Sequence, residues 1–511
     1  MTTNNLVAKI WSFCDTLRDD GVSYGDYLEQ ITYLLFLKMA DEYSRPPYNR
    51  DFCIPKNCDW QFFLKHPLEG LILDYINALN TLSHSGKMLS NIFNSAQNKI
   101  HDPYKLKKLI ELLDEDNWVS ESVDIKGDIY ESLLQKSAES SGAGQYFTPR
   151  SIIKAIVECI EPKPLETISD PTCGTGGFFL GAIEYLNNNY QKELQNKNKK
   201  EFLQFKTFRG WDIVPSTARL CLMNLFLHGI GDMEETPEIK VEDSLLEPPK
   251  NKVKIVLANP PFGKSSTYTI TNDEKLAKQE SYILRNDFWT TTSNKQLCFV
   301  QHIISMLEEN GRAAIVLPDN VLFEGGAGET IRKKLLEETN LHTILRLPTG
   351  IFYANGVKVN VLFLEKKKKG KAPNTKEIWF YDYRTNVHHT LKKHPLQFEH
   401  LKLFVECYQS ESREKSSETW SEQNLNGRFR KYSYDELISR DKINFDITWL
   451  KDDSFIDLDS LPDSDILAQE IIDSLESALA SFKNTLDSLS KNNFVNVHHL
   501  GEILGKQSKI R

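Results

Sequence analysis

Between residues 152 and 317, short apolar runs alternate with helical stretches (152–160, 178–186, 255–258 and 313–317), and this pattern restricts the fold more than any other feature of the chain. Strands that read as continuous apolar runs are buried on both faces, which requires helices on both sides of their sheet. The alternation predicts an α/β domain on a parallel, doubly wound sheet. Polar stretches at 187–200, 264–295 and 366–371 interrupt it and read as solvated loops or linkers. Set into the pattern is Asp170-Pro171-Thr172-Cys173-Gly174-Thr175-Gly176-Gly177-Phe178-Phe179-Leu180, a tight glycine turn opening an amphipathic helix. Glycine lets backbone approach a ligand closely, and a helix start offers free N–H groups and positive dipole to an anionic end. A nucleoside cofactor fits such a turn. A dinucleotide fits less well: G-x-G-x-x-G is absent, and Asp212, in Gly210-Trp211-Asp212, lies beyond the ~20 residues expected for a ribose-binding acid, unless the 187–200 insertion supplies the difference.

The remainder of the 511 residues, 40% of them hydrophobic, exceeds what one domain holds. Leu28, Ile31, Leu35 and Met39 share one face of a helix that Asp26 can cap, and Leu106, Leu109, Leu112, Leu113, then Ile129, Leu133 and Leu134, continue the helical pattern. Near the other end Ile472, Leu479 and Leu486 interleave with Ala468, Leu475, Phe482 and Leu489 in an a/d seam, which packs either on its own domain or on a partner's helix. The expected division is a helical N-terminal domain (1–125), an α/β domain (126–440) and a C-terminal helical, coiled-coil tail (441–511). Eight cysteines without C-x-x-C spacing indicate reduced thiols rather than a zinc ribbon or disulfide framework. No apolar run approaches the ~18 residues of a membrane span, and residues 1–5 show no secretory pattern, so a cytoplasmic protein without membrane contact is expected. The net charge of −9 lacks the basic excess of a chain that grips nucleic acid alone.

A second motif, Asn259-Pro260-Pro261-Phe262, follows the strand-like Val256-Leu257-Ala258. That places it at a strand's carboxyl end, where open α/β sheets bind ligands. Two prolines stiffen the turn and remove donors, leaving carbonyls and the Asn259 side chain as acceptors. With Asp170–Leu180, this motif resembles those of S-adenosylmethionine-dependent DNA adenine-N6 methyltransferases. Within that class the chain resembles the modification (M) subunit of type I restriction-modification systems. Gly144-Gln145-Tyr146-Phe147-Thr148-Pro149-Arg150 is similar to the family's upstream cofactor motif. Asn294-Lys295-Gln296-Leu297, Gln301-His302-Ile303, Leu347-Pro348-Thr349-Gly350-Ile351-Phe352, Gly356 to Phe363 and Trp379 to Asn386 are similar to further family segments, in family order, up to about residue 410.

The resemblance implies a Rossmann-like S-adenosylmethionine-dependent methyltransferase fold. It implies that Asp170, Thr172, Gly174, Thr175, Gly176 and Gly177 surround the methionine part of S-adenosylmethionine, lined also by Gln145, Tyr146, Phe147 and Thr148. Asp212 would accept from the ribose hydroxyls and Asp243 from the adenine amine, although an acid in the polar turn Glu242-Asp243-Ser244 can equally be a cap or a solvated charge. Asn259 Oδ1 and the Pro260 carbonyl would accept from the target amine, with Pro261 stiffening the turn and Phe262 stacking on a base drawn out of double-stranded DNA. The implied partners are a specificity (S) subunit serving two M copies, and restriction (R) subunits.

Other motifs carry less. Gly263-Lys264-Ser265 lacks the first glycine of a P-loop, where Ala258 stands, and His388, His389 and His394 read as solvated or capping residues. The lysines at 366–369 read as a solvated turn or a DNA-backbone contact. Two other readings stay open: a self-contained methyltransferase acting on cytosine N4 or RNA, and a scaffold protein with a degenerate pocket. Intact Gly174, Gly176, Asn259 and Phe262 argue against the scaffold.

Overall fold

A computed structural model describes residues 13, 17, 22–49, 51–115, 117–118, 147–232, 234–262, 285–352, 357–390, 394–409, 415–452, 468, 472 and 475. The N-terminal region is helical: α1 (Tyr24–Ser44), α2 (Trp60–Lys65), α3 (Leu71–Leu82), α4 (Lys87–Phe93) and α5 (Pro103–Asp114). The Leu28, Ile31, Leu35, Met39 stripe lies on α1, but Tyr27, Tyr33, Leu34 and Phe36 are buried too. A helix buried on nearly every side, its polar Gln30, Thr32, Lys38 and Glu42 included, is the centre of its cluster rather than a surface element. Its cap is Ser23, not Asp26. Ser23 Oγ accepts the Asp26 N–H at 3.1 Å and donates to the Asp26 carboxylate at 2.6 Å, so the acid sits in the first turn, where the helix dipole favours it. Leu106, Leu109 and Leu113 are buried on α5; Ile129, Leu133 and Leu134 lie outside the described residues.

The α/β region holds a nine-stranded sheet in the order β3-β2-β1-β4-β5-β7-β6-β8-β9. The strands are β1 (Ile168–Asp170), β2 (Phe208–Asp212), β3 (Glu238–Val241), β4 (Val253–Ala258), β5 (Leu307–Pro318), β6 (Thr339–Leu347), β7 (Val359–Lys366), β8 (Glu377–Asp382) and β9 (Phe429–Ser433). Before them comes α6 (Arg150–Ile160), between them run α7 (Gly177–Asn189), α8 (Lys197–Phe205), α9 (Pro215–Leu227), α10 (Lys295–Met306), α11 (Asn320–Phe323), α12 (Ala327–Glu338) and α13 (Phe398–Tyr408), and after them α14 (Tyr434–Ile438). The sheet is doubly wound but mixed, not parallel throughout: β7 runs antiparallel to β5 and β6, and β9 antiparallel to β8. A parallel return needs a crossover of about a dozen residues or more, usually with a helix, and the link from Leu347 to Val359 is too short to hold one.

From β1 the chain steps outward to β2 and β3, returns to β4 beside β1, and proceeds the other way to β5. Right-handed crossovers then put α7 and α9 on one face and α10 and α12 on the other. The reversal opens a crevice past the carboxyl ends of β1 and β4. Helix α6 packs on α7 across Gly181, where a Cβ would stand 2.5 Å from Ile153 Cγ2, so only glycine admits the approach.

Helix α9 faces two ways. Leu222, Met223 and Leu227 belong to the same buried cluster as α1–α5, while Arg219, 4% exposed, pairs with Glu29, donates to the Asn94 carbonyl and lies over the Tyr33 ring. The residues from 443 to 449 pack into the core beside the sheet, mostly as irregular chain. Ile443, Phe445 and Ile447 are buried, Arg332 Nη2 donates to the Lys442 carbonyl at 2.7 Å, and Arg346 pairs with Asp446. The chain through Lys451, apart from 355–357, forms one compact unit; of the second, Asn355–Val357 with Asp452–Arg511, residues 468, 472 and 475 are helical. Of the heptad seam, Ala468 is exposed and Ile472 and Leu475 are 48% and 64% exposed, and Leu479, Phe482, Leu486 and Leu489 lie outside the described residues. Among the described residues no helix is long and apolar enough to cross a membrane.

The lysine run divides: Lys368 and Lys369 are exposed, as expected of a solvated turn, whereas Lys366 ends β7 and turns inward. Lys366 is half-buried, and its Nζ donates to the Ile304 and Leu307 carbonyls at 2.8 and 2.9 Å, capping the end of α10; burial pushes its pKa down to about 8. Lys369 pairs with Glu338 on α12 at 3.0 Å.

Candidate active site

Asp170, Asp212, Asp243 and Asn259 all stand at or just past the carboxyl ends of parallel strands. Asp170 ends β1, level with Gly210 of β2; Asp212 ends β2, level with Val241 of β3; Glu242 and Asp243 continue past β3; Asn259 follows β4. The topology thus gathers residues spread over ninety positions of sequence around the β1/β4 crevice.

The glycine turn is tethered on three sides. The Cys173 N–H donates to the Trp211 carbonyl at 2.8 Å, Ser244 Oγ to the Pro171 carbonyl at 2.9 Å, and Asn224 Nδ2 on α9 to the Thr175 carbonyl at 2.9 Å. Gly176 has φ +86°, and a Cβ there would meet Cys221 Sγ at 2.9 Å. It stands at the N-cap of α7 with no side-chain cap bond, so the first N–H groups of that helix are left for a ligand.

The acids differ in setting. Asp170 is buried and its carboxyl accepts from the Thr172 N–H at 2.8 Å and hydroxyl at 3.2 Å; burial outweighs these bonds and pushes its pKa up to about 7. Asp212 is raised by burial as well, opposed by the Val214 and Gly174 N–H groups. Asp243 is exposed and accepts from the Leu245 N–H at 2.9 Å, the local turn that the sequence left open; Glu242 accepts from Trp211 Nε1 at 2.9 Å. Ile213, Val214 and Leu246, beside Asp212 and Asp243, are exposed apolar side chains. Acceptor carboxylates flanked by apolar surface fit a ribose and a flat heteroaromatic ring, and a glycine cradle with uncapped N–H groups fits a carboxylate end. The residues therefore fit S-adenosylmethionine.

At the Asn259 turn, the side-chain Nδ2 donates to Thr148 Oγ1 at 2.9 Å, while Oδ1 is buried with no hydrogen-bond partner among the described residues. Leaving an acceptor buried and unpaired costs about 1–3 kcal/mol, so this oxygen is available to a donor that arrives from outside. The Pro261 carbonyl accepts from Gln296 Nε2 at 3.1 Å, and the Phe262 ring meets Phe352 edge-on at 5.7 Å. Thr148 thus stands at Asn259, and Phe147 packs against the N-terminal helical cluster; Gln145 and Tyr146 lie outside the described residues. Sequence reasoning missed the Gln296, Phe352 and Asn224 contacts. Asn224 carried a signal, a lone amide within the apolar run of α9, whereas nothing local to Gln296 or Phe352 announces a partner so far away in sequence.

The N-6 DNA Methylase family profile matches residues 121–444, and that of the HsdM N-terminal domain matches 6–113. The chain belongs to the N-6 DNA methylase family. This methylase is 39% identical to the type I restriction enzyme StySJI methylase subunit of Salmonella typhimurium, and 39% identical to the type I restriction enzyme EcoKI methylase subunit of Escherichia coli, each match covering 96% of both chains. A solved chain from a study of complex assembly and conformational transition in the type I R-M system superposes on the methylase with TM-score 0.69 at 25% identity, covering 96% of this chain and 99% of that one. The methylase transfers a methyl group to adenine N6 in DNA, with S-adenosylmethionine as donor.

Proposed function

We propose that this methylase is the modification subunit of a type I restriction-modification system. It methylates adenine N6 within a DNA sequence chosen by a separate specificity subunit, protecting that DNA from the associated restriction subunit. The observation that carries the reading at the level of residues is the buried Oδ1 of Asn259, which has no hydrogen-bond partner among the described residues, its Nδ2 already given to Thr148.

An adenine amino nitrogen is a poor nucleophile because its lone pair is delocalised into the ring. Acceptors on its two hydrogens draw it toward tetrahedral geometry, and they bind most strongly as positive charge develops in the transition state. Asn259 Oδ1 and the Pro260 carbonyl are those acceptors. Phe262 stacks on the extruded base, offsetting part of the few kcal/mol that unpairing costs. S-adenosylmethionine supplies an electrophilic methyl group on a sulfonium. Thr172, Gly174, Thr175, Gly176 and Gly177 cradle its methionine end beside Asp170 and Thr148; Asp212 accepts from the ribose hydroxyls and Asp243 from the adenine amine.

The helical region to about residue 125, the transfer domain to about 440 and the tail beyond are its functional parts, and it works in the cytoplasm. Two copies assemble with one specificity subunit, and restriction subunits join them. The exposed Ile472 and Leu475 support docking of the tail heptads on that partner. Truncation from Ser464 should abolish co-purification with the specificity subunit; unchanged assembly would move the contact elsewhere.

The central test is transfer of tritiated methyl from S-adenosylmethionine to unmethylated DNA, by the chain alone and with its co-expressed specificity subunit, followed by nucleoside analysis. Label in N6-methyladenine only with the partner is expected. Label from the chain alone, or in N4-methylcytosine, would overturn the divided enzyme, and wild-type transfer by Asn259→Ala would overturn the residue assignment.

A further inference from the structure

We infer that Gln296, at the start of α10, is a positioning residue for methyl transfer, acting through the backbone of the Asn-Pro-Pro turn. The inference rests on the reading of that turn as the transfer site. Two consecutive prolines leave the turn with carbonyl acceptors and no donors at those positions, so it can be fastened there only by a donor from elsewhere. Gln296 supplies the missing donor: its Nε2 reaches the Pro261 carbonyl at 3.1 Å, and the residue is only 5% exposed.

The donor sits on rigid ground. Asn294 caps α10 by accepting the Leu297 N–H at 3.3 Å, and its own amide donates to Glu324 at 2.7 Å. Gln301, one and a half turns on, exchanges hydrogen bonds of 2.9 and 3.1 Å with the Thr290 backbone. The helix packs on β4 and β5, the strands that set the height of the turn. The turn is thereby gripped at two points, at the Asn259 amide by Thr148 and at the Pro261 carbonyl by Gln296. Between the grips lies Pro260, whose carbonyl is the second acceptor. With both neighbours held and φ fixed by the proline rings, that carbonyl has little freedom to turn.

Loss of the grip should act on the transfer step rather than on binding. A misplacement of about an ångström at a reacting centre can cost 10²-fold, so Gln296→Leu, assayed with the specificity subunit present, should lower kcat about 10- to 100-fold. KM for S-adenosylmethionine and its affinity by calorimetry should stay near wild type, and the thermal midpoint should fall by no more than the few degrees that a lost buried hydrogen bond costs. Gln296→Glu adds a readout that a packing role would not move. An ionised carboxylate cannot donate to Pro261 and a protonated one can; at a position only 5% exposed, burial lifts a glutamic acid well above its ordinary range, so kcat relative to wild type should be low at pH 8 and recover several-fold by pH 6. A wild-type kcat for Gln296→Leu, or a ratio for Gln296→Glu that is flat with pH, overturns the inference. If Gln296→Leu fails to fold, the Gln296→Glu ratio decides. Asn259→Ala separates the two readings: its inactivity beside a fully active Gln296→Leu sinks only the positioning role, whereas an active Asn259→Ala removes the transfer site itself.

Discussion

Replacing Asp170 by Asn should stabilise the protein, and by an amount that grows with pH. The Asp170 carboxyl is fully enclosed, and burial raises its pKa from an ordinary 3.8 to about 7 despite two hydrogen bonds from Thr172. Well below pH 3.8 the group is protonated in both the folded and the unfolded chain and contributes nothing, and at pH 4 its effect is still under about 1 kcal/mol. As pH rises toward 7, only the unfolded chain ionises, so stability falls by about 1.4 kcal/mol per unit; above 7 the whole penalty, about 4 kcal/mol, is present. Asparagine keeps an acceptor for the Thr172 N–H, now at 2.8 Å, and never ionises. Urea unfolding of wild type and Asp170→Asn without cofactor, from pH 4 to pH 8, should show a difference near zero at the acid end that opens steadily to several kcal/mol. A difference independent of pH, or one favouring wild type at pH 8, would refute the reasoning.

Arg312→Ala should destabilise by about 3 kcal/mol or more, because the guanidinium holds Glu166 through two hydrogen bonds of 2.8 and 2.7 Å and also donates to the Ile160 and Glu161 carbonyls. The same pairing keeps Glu166 below the usual carboxylate range, so its stabilising contribution is present at neutral pH and lost as acid protonates it; urea midpoints at pH 7 and pH 3 should differ more in wild type than in Arg312→Ala. Gly181→Ala should cost about 1–3 kcal/mol by pushing its Cβ into Ile153, and adding Ile153→Ala should recover part of that loss in thermal unfolding. Arg219→Ala should cost about 3 kcal/mol by leaving Glu29 without its buried partner, and hydrogen exchange should speed first in α1 and α9.

The parts of the fold written in local patterns were legible. The glycine turn, the Asn259 turn, the buried strands β4 and β5 and the stripe on α5 all follow from residues close together in the chain. Strand direction was not: the residues of β7 read as one more apolar run, and only the short link from β6 makes it antiparallel. The cap of α1 was misplaced because Ser23 and Asp26 are both capping residues, and their mutual hydrogen bonds decide which of them stands outside the helix. At the site, the acceptors were legible from residue type. Their restraint by Thr148 and Gln296 was not, because it joins positions 111 and 35 residues apart.

Helix α9 has a bearing on how such chains can be recombined. One side of it seals the N-terminal helical cluster through Leu222, Met223 and Leu227, and the other underlies the cofactor turn through Cys221 and Asn224. A chimera that exchanges the helical region of two methylases after Trp118 would graft a foreign bundle onto a helix shaped for the original one. The mismatch would sit one side chain away from the glycine turn, so the transplant should travel with the matching surface of 215–227 and be judged by cofactor affinity as well as by solubility.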